Sequence, residues 1–84
     1  MIYKVFSIRD KFNGFMHPSL ELSEESARRN FSLAVSNENN GIMNFSPGDF
    51  DLYELGNFDS ESGCLDVLDV PRFVVNGSEV KREK

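Results

Sequence analysis

The sequence predicts an α+β fold, a small antiparallel β-sheet of 3-4 strands with one α-helix packed on one face. Residues 2–12 alternate apolar and polar side chains, as in a strand with one buried face. Residues 24–37 repeat apolar side chains at helical spacing, and residues 50–68 hold two apolar runs separated by turn-forming residues. Because short turns join antiparallel strands without a crossover, we expect the sheet to be antiparallel.

Residues 50–68 are expected to form the central hairpin of this sheet. Apolar and aromatic residues are dense on both sides of the segment Asp-Ser-Glu-Ser-Gly at residues 59–63. Gly56 lies inside the first run, which indicates a β-bulge or a close approach of another backbone. We interpret this hairpin as scaffold, because its acidic residues make it a poor place for nucleic acid.

The first strand is followed by Asn13-Gly14, the dipeptide most typical of a two-residue type I′ turn. Such a turn would place Phe12 opposite Phe15. The returning strand is expected to be short, because Pro18 lacks a backbone donor.

A single long helix is predicted over residues 24–37. Ser23 is a favourable N-cap, and Glu24 and Glu25 suit the positive end of the helix dipole. Each glutamate lies four residues before an arginine, Arg28 or Arg29, an orientation that favours an ion pair.

A long surface loop is predicted over residues 36–49, which are rich in turn-forming residues. It contains three apolar side chains, Ile42, Met43 and Phe45. They either fold back onto the core or form a protein-binding contact.

The predicted domain organisation is a single α+β domain over residues 1–69 and a C-terminal extension over residues 70–84. The second Asn-Gly pair, Asn76-Gly77, suggests a short third hairpin there, or an arm that pairs with a neighbouring chain. The basic residues 81–84 are expected to be frayed.

Length and composition bound the function. A chain of 84 residues forms a thin core, and its 39% hydrophobic residues include eight Phe that are hard to cover. We therefore expect a homo-oligomer, with a dimer favoured. The net charge of −5 opposes generic phosphate binding, so any contact with DNA has to be local.

The single cysteine, Cys64, excludes an intrachain disulfide and suits a reducing cytoplasm, and we expect it to be a small buried strand residue. No apolar run has the length of a membrane span. The apolar run at the first residues is too short, and too often interrupted by polar residues, for a signal peptide. We expect no membrane contact and a cytosolic protein.

Catalytic and metal-binding patterns are weak. His17 is the only histidine and has no recognisable partner motif, so we interpret it as a surface residue. Pairs of acidic residues occur at 49 and 51 and at 66 and 69, but solvent-facing acids on a sheet give the same pattern. We predict no enzyme activity, no metal and no cofactor.

Basic and aromatic residues are interleaved only in the segment 9–15. A positively charged hairpin tip with two Phe can stack single-stranded bases while its cations meet phosphates. The predicted nucleic-acid-binding residues are Arg9, Lys11, Phe12, Phe15, and, from the basic tail, Lys81 and Arg82. The alternative is that the two Phe form a cross-strand pair over the core and the cations are only solvated.

Four blocks of residues, in this order, resemble the small nonstructural protein of gokushoviruses and related Microviridae, which are single-stranded DNA bacteriophages. The blocks are Tyr3-x-Val5-x-Ser7-Ile8-Arg9-Asp10, Gly14-Phe15 with Pro18, Ala27-Arg28-x-x-Phe31, and Pro47-Gly48-Asp49-Phe50-x-Leu52-Tyr53-x-x-Gly56-x-Phe58-Asp59. The resemblance covers most of residues 3–68 and is most specific in the last block.

The resemblance implies an early, non-capsid viral protein in the cytoplasm of the bacterial host, described as DNA-binding, with a part in single-stranded genome synthesis or packaging. It transfers no catalytic residue. Two hypotheses follow: an auxiliary single-stranded DNA binder, or an acidic adaptor that binds the phage replication initiator or a host replication factor. A third is that self-assembly is itself the function.

Overall fold

The computed structural model describes residues 1–82, in which five strands and three helices follow one another along the chain. Their bounds are β1 Ile2–Asp10, β2 Gly14–Phe15, β3 Ser19–Glu21, α1 Glu24–Ser36, α2 Ile42–Phe45, β4 Phe50–Asp59, β5 Leu65–Asn76 and α3 Gly77–Val80. Two short 3₁₀ turns, Glu38–Asn40 and Pro47–Asp49, flank α2.

All strand pairs in this sheet are antiparallel. β1 pairs with β4 on one side and with the short strands β2 and β3 on the other, and β4 also pairs with β5. The sheet is curled into a half-barrel, and its register shifts near Val5 and on both sides of Glu54. Because β4 pairs with a strand on each side, it is internal, as expected, whereas β5 pairs only with β4 and lies at the edge.

Helix α1 supplies the core with the residues that its apolar spacing predicts. Ala27, Phe31 and Val35 belong to one buried cluster together with Phe6 of β1 and Leu52 of β4. The rest of the cluster comes from β4, β5 and α2: Phe50, Val74, Val75 and Met43. We call this side of the sheet the covered face.

The predicted N-cap and bulge are confirmed. The Ser23 side chain accepts a hydrogen bond from the backbone N–H of Ser26, and α1 begins at Glu24. At Gly56 a β-carbon would overlap the backbone of Asp66 and Val67, so β5 approaches β4 there more closely than any other residue type allows.

The predicted mixture of helix and antiparallel sheet is confirmed, but the prediction of three or four strands and one helix was too simple. β3 was missed, and the surface loop of residues 36–49 contains α2 and two 3₁₀ turns. Contacts of α1 are made with α2 and α3 as well as with the sheet.

The type I′ turn at Asn13-Gly14 was a wrong prediction. Gly14 has φ +97°, but no residue other than glycine has a positive φ in the described chain, and a type I′ turn needs one at Asn13 too. The loop has three residues, because the Asp10 carboxylate binds the backbone N–H of Phe12 (3.0 Å) and the side chain of Asn13 (3.0 Å). Phe15 therefore lies opposite Arg9 rather than opposite Phe12.

The hairpin or arm after residue 69 is also corrected, as far as the described residues go. Residues 70–76 continue β5, so the expected domain boundary falls inside a strand, and Asn76 caps α3 by accepting from the N–H of Ser78. Val74 and Val75 lie in the core. Of the basic end, residues 83–84 lie outside the described part.

Two further residues can be compared with their predictions. Cys64 is exposed before β5 rather than buried in a strand, because the turn ends at Gly63 and pairing resumes at Leu65. His17 is exposed, as expected. Among residues 1–82, no helix is both long and apolar enough to cross a membrane.

Candidate functional site

The face of the sheet opposite α1 is named the open face. Paired residues of neighbouring strands point to the same side, and alternate residues along a strand share a side. The strand register therefore assigns to the open face Tyr3, Val5, Ser7, Arg9, Phe15, Leu20, Asp51, Tyr53, Phe58, Leu65, Val67 and Phe73. Neither α1 nor its neighbouring helices contribute a residue to this set.

Three aromatic rings form a row across the open face. The ring centroids of Phe15 and Tyr53 are 5.3 Å apart, and those of Tyr53 and Phe73 are 5.8 Å apart, both in edge-to-face geometry. Phe15 and Phe73 are 48% and 50% exposed, so about half of each outer ring is accessible. The row therefore offers aromatic surface on β2, β4 and β5.

Ser7 makes the row continuous. It lies opposite Tyr53 on β1, between the strands that carry the first two rings, and its side chain is too small to separate them. Its buried hydroxyl donates to the carbonyl oxygen of Met16 over 2.6 Å, so the hydroxyl has a hydrogen-bond partner. The same bond ties the segment after β2 to β1.

The hairpin tip places the predicted residues Arg9, Lys11 and Phe12 at one end of this row. Arg9 is the cross-strand partner of Phe15 and is half-buried. Lys11 is exposed, and its backbone N–H donates to the carbonyl of Asp49 over 3.0 Å. Phe12 is 81% exposed at the tip and is not part of a cross-strand pair.

Asp10 organises this tip. The hydrogen bond from the backbone N–H of Phe12, followed by that from the Asn13 side chain, holds the pKa of the Asp10 carboxyl below its usual value. The carboxylate is therefore ionised at neutral pH and offsets part of the positive charge of its neighbours Arg9 and Lys11.

The other two predicted nucleic-acid-binding residues lie elsewhere. Lys81 and Arg82 line a shallow depression on the covered side together with Arg28 and Arg29 of α1. The ammonium group of Lys81 donates to the carbonyl of Asn44 over 2.8 Å, and the backbone N–H of Arg82 donates to the Ser36 hydroxyl over 2.8 Å. The structure therefore divides the six predicted residues into two groups.

Three cations on the covered side are engaged in ion pairs. Arg72 Nη2 lies 2.6 Å from a Glu54 carboxylate oxygen and 2.5 Å from one of Glu24. Lys4 pairs with Glu54 over 3.6 Å, and Arg28 pairs with Glu24 over 3.3 Å, as its spacing predicts. The Arg72 hydrogen bond lowers the pKa of Glu24, and both carboxylates raise the pKa of Arg72.

The three predicted protein-binding residues lie on α2, and its helical turn points one of them into the core and leaves the other two exposed. Met43 is 8% exposed and joins the core, whereas Ile42 and Phe45 are 60% and 82% exposed. An open groove separates α2 from the β2 hairpin. Its apolar lining includes Ile8, Phe15, Met16, Ala34, Ile42 and Met43.

The polar rim of this groove consists of Asp10, Asn13 and Asn40. Phe15 therefore touches both the aromatic row and the groove, so two sites that the sequence suggested separately share one border.

The acidic residues of the described chain, residues 1–82, do not gather into a cation site. Asp51 is 5% exposed, and its carboxylate accepts a 2.7 Å hydrogen bond from the Asn76 side chain. In the part of the chain that the structure describes, no three His, Cys, Asp or Glu side chains are close enough to hold a metal ion.

Tyr53 and Phe73 were missed as site residues. Tyr53 lies in the segment that we interpreted as scaffold, and Phe73 in the segment expected to form an extension. Alternation along residues 50–54 places Tyr53 on the opposite side of the strand from Phe50 and Leu52, and this signal was available in the sequence. The partner of Phe73 depends on the β5 register after its bulge, which no local pattern predicts.

A family model described as Phage ORF5 protein matches residues 3–80 of the 84-residue chain. No curated protein and no solved structure shows a significant match. Apart from Ile2 of β1, the match includes every strand of the described chain and α1, and it therefore includes both the aromatic row and the groove.

Proposed function

The chain belongs to the phage ORF5 protein family, and from that premise we propose that it is a non-enzymatic auxiliary protein of a Microviridae phage that binds single-stranded DNA. It acts in the cytoplasm of the bacterial host, in genome synthesis or packaging. The observation that carries the proposal is the row Phe15, Tyr53 and Phe73 on an uncovered sheet face. Bases stack on such rings with little regard to sequence.

The charges of the open face favour a weak and local contact. Arg9 and Lys11 lie at one end of the row and reach phosphates there, whereas Lys81 and Arg82 are on the other side of the sheet. Each neutralised phosphate contributes about −0.7 to the slope of log affinity against log salt on a single strand. Two contacts therefore predict a slope of about −1.4.

The test is a titration of a labelled oligothymidylate, followed by fluorescence anisotropy at two salt concentrations. Arg9→Ala with Lys11→Ala is expected to abolish measurable binding, and Phe73→Ala to weaken it several-fold at unchanged salt slope. Lys81→Ala with Arg82→Ala is the matched control, because it removes the same charge from the opposite side. Absence of binding by the natural chain at low salt, or equal loss in both double variants, would contradict the proposal.

A second candidate function rests on the groove between α2 and the β2 hairpin. Ile42 is an exposed apolar side chain that lines it, Phe45 is a second exposed apolar side chain on the same short helix, and Met43 anchors α2 in the core. This arrangement favours an adaptor that holds an apolar segment of the phage replication initiator or of a host replication factor. The net charge of −5 agrees better with this function than with DNA binding.

The adaptor is tested by pull-down from infected cells with the natural chain and with Ile42→Ser/Phe45→Ser. A partner that the natural chain retains and the double variant loses would support it. Leu33→Ser is the control, because Leu33 is 56% exposed on α1 and does not line the groove. Recovery of DNA without a protein partner would count against the adaptor.

A further inference from the structure

The open face carries a large share of the exposed apolar surface. Five of its side chains are each about half or more exposed: Phe15 48%, Leu20 49%, Leu65 63%, Val67 69% and Phe73 50%. They come from three strands, β2, β3 and β5, and are connected through Tyr53, Phe58 and the buried Val5. A contiguous apolar patch of this kind is uncommon on a soluble monomer and marks an interaction surface.

The size of the open face fits a dimer interface. β1, β4 and β5 have 9, 10 and 12 residues, and the short strands β2 and β3 flank β1 along part of its length. With strands about 4.8 Å apart and about 3.3 Å per residue, the face spans about 15 by 30 Å. Protruding side chains make its accessible area larger than this projection. A standard interface buries about 800 Å² on each partner, about a seventh of the 5567 Å² surface of this chain.

The charged side chains that the register assigns to the open face are Arg9 and Asp51, which are cross-strand partners at the hairpin end. They carry opposite charges, and the rest of the assigned set is uncharged. Two copies of this face can therefore meet without bringing a surplus of like charge together.

The β5 edge is a poorer surface for a second copy. Gly56 pairs with Val67 and Glu54 with Arg72, so residues 68–71 form a bulge opposite Leu55 alone. Pro71 lacks a backbone donor within this bulge, and Asp69 adds charge to it. Bulges, proline and charge are the features that prevent an edge strand from extending a sheet.

We propose that the open face is the interface of a two-fold homodimer, with the sheets of two copies packed face to face. The two inner faces lie about 10 Å apart in such a packing, and the aromatic row of each copy is covered by the other. This dimer does not rest on DNA binding. Where both occur, an oligonucleotide has to displace the second copy, so apparent DNA affinity falls as protein concentration rises.

The test is sedimentation equilibrium of the full chain from micromolar to millimolar concentration, with no DNA present. The natural chain is expected to reach twice its 9.6 kDa mass. Val67→Glu should remain monomeric over the whole range, because it places a carboxylate among the exposed apolar side chains of the open face. Val67 is 69% exposed in one chain, so the variant should keep its fold, which far-UV circular dichroism checks.

Leu33→Glu is the matched control, because it introduces the same charge at an exposed apolar position on α1, and it should dimerise as the natural chain does. Phe15→Glu, at the β2 end of the aromatic row, is a second variant expected to prevent the dimer. A natural chain that stays monomeric at millimolar concentration would overturn the proposal. So would a dimer that Leu33→Glu disrupts as strongly as Val67→Glu does.

Discussion

The two faces of the sheet carry similar side chains in opposite environments. On the covered face Phe6, Phe31 and Val35 are at most 2% exposed. On the open face Phe15 and Phe73 are about half exposed, although they are, like Phe6, aromatic residues of paired strands. The difference lies in what the chain supplies as a second layer: α1 and the short helices on one side, and no described element on the other.

This difference separates residues that hold the fold from residues that remain available for binding. A buried aromatic residue contributes its full transfer free energy and its packing contacts to the folded state. A half-exposed aromatic residue contributes much less. The free energy of burying the rest of its apolar surface is gained only when another molecule covers it. The open face is therefore the part of the fold that a partner completes.

The largest expected effect is on the covered face. Phe31→Ala removes a ring that is 2% exposed, and we expect the free energy of unfolding to fall by about 3–5 kcal/mol. Phe73→Ala is the matched change on the open face and should cost less than about 1 kcal/mol. Urea denaturation at low protein concentration, where self-association is negligible, measures both. Equal losses would contradict the distinction between the faces.

A second prediction concerns Gly56 of β4, where the close approach of β5 leaves no room for a side chain. A β-carbon on Gly56 would overlap the backbone of Asp66 and Val67, so Gly56→Ala has to push β5 away from β4. We expect a loss of about 1–3 kcal/mol in urea denaturation.

Gly48→Ala is the control for this change, because a β-carbon there would lie 4.0 Å from its nearest neighbours. It should change stability by less than about 0.5 kcal/mol. A Gly56→Ala protein as stable as the Gly48→Ala protein would show that β4 and β5 do not depend on this close approach.

Periodicity predicted the elements that a short window determines. β1, α1 and β4 were predicted within about two residues of their observed ends, and the Ser23 cap and the irregularity at Gly56 were predicted from single residues. Each depends on side chains a few positions apart, and sequence patterns report such local preferences.

The elements that were missed depend on contacts across the chain. Asn76-Gly77 looked like a turn, but the Asn76 side chain donates to the carbonyl of Gly48 over 2.9 Å, and Gly77 packs against the carbonyl of Pro47, where a β-carbon would not fit. These bonds join residues nearly thirty positions apart, and they convert the expected hairpin into the start of α3.

The candidate site was predicted in part for the same reason. Arg9 and Phe15 were identified because they are close in sequence. The aromatic row exists because β4 and β5 bring Tyr53 and Phe73 beside Phe15, and this depends on strand register. Lys81 and Arg82 are positively charged like Arg9 but lie on a different surface of the protein. Composition alone does not reveal this separation.

The smallest expected effect is at the ion pair between Glu24 and Arg72 on the covered side. Glu24 binds Arg72, and this hydrogen bond lowers the pKa of its carboxyl below the ordinary 4.5. Because the folded pKa is below the unfolded one, the ion pair stabilises the protein above pH 4.5, and the contribution is lost as pH falls through the folded pKa. The carboxylate is 35% exposed, so screening by solvent limits the contribution to less than about 1 kcal/mol.

Glu24→Gln should therefore lower stability slightly at neutral pH and lose less stability than the natural chain on acidification below pH 4.5. Thermal unfolding across that range measures the effect. Glu25→Gln is the matched control, since Glu25 is the exposed neighbour on the first turn of α1 and lies in the same helix dipole. If both variants showed the same pH dependence, the dipole rather than Arg72 would account for the contribution. The ion pair between Glu24 and Arg72 would then add no stability of its own to the covered side.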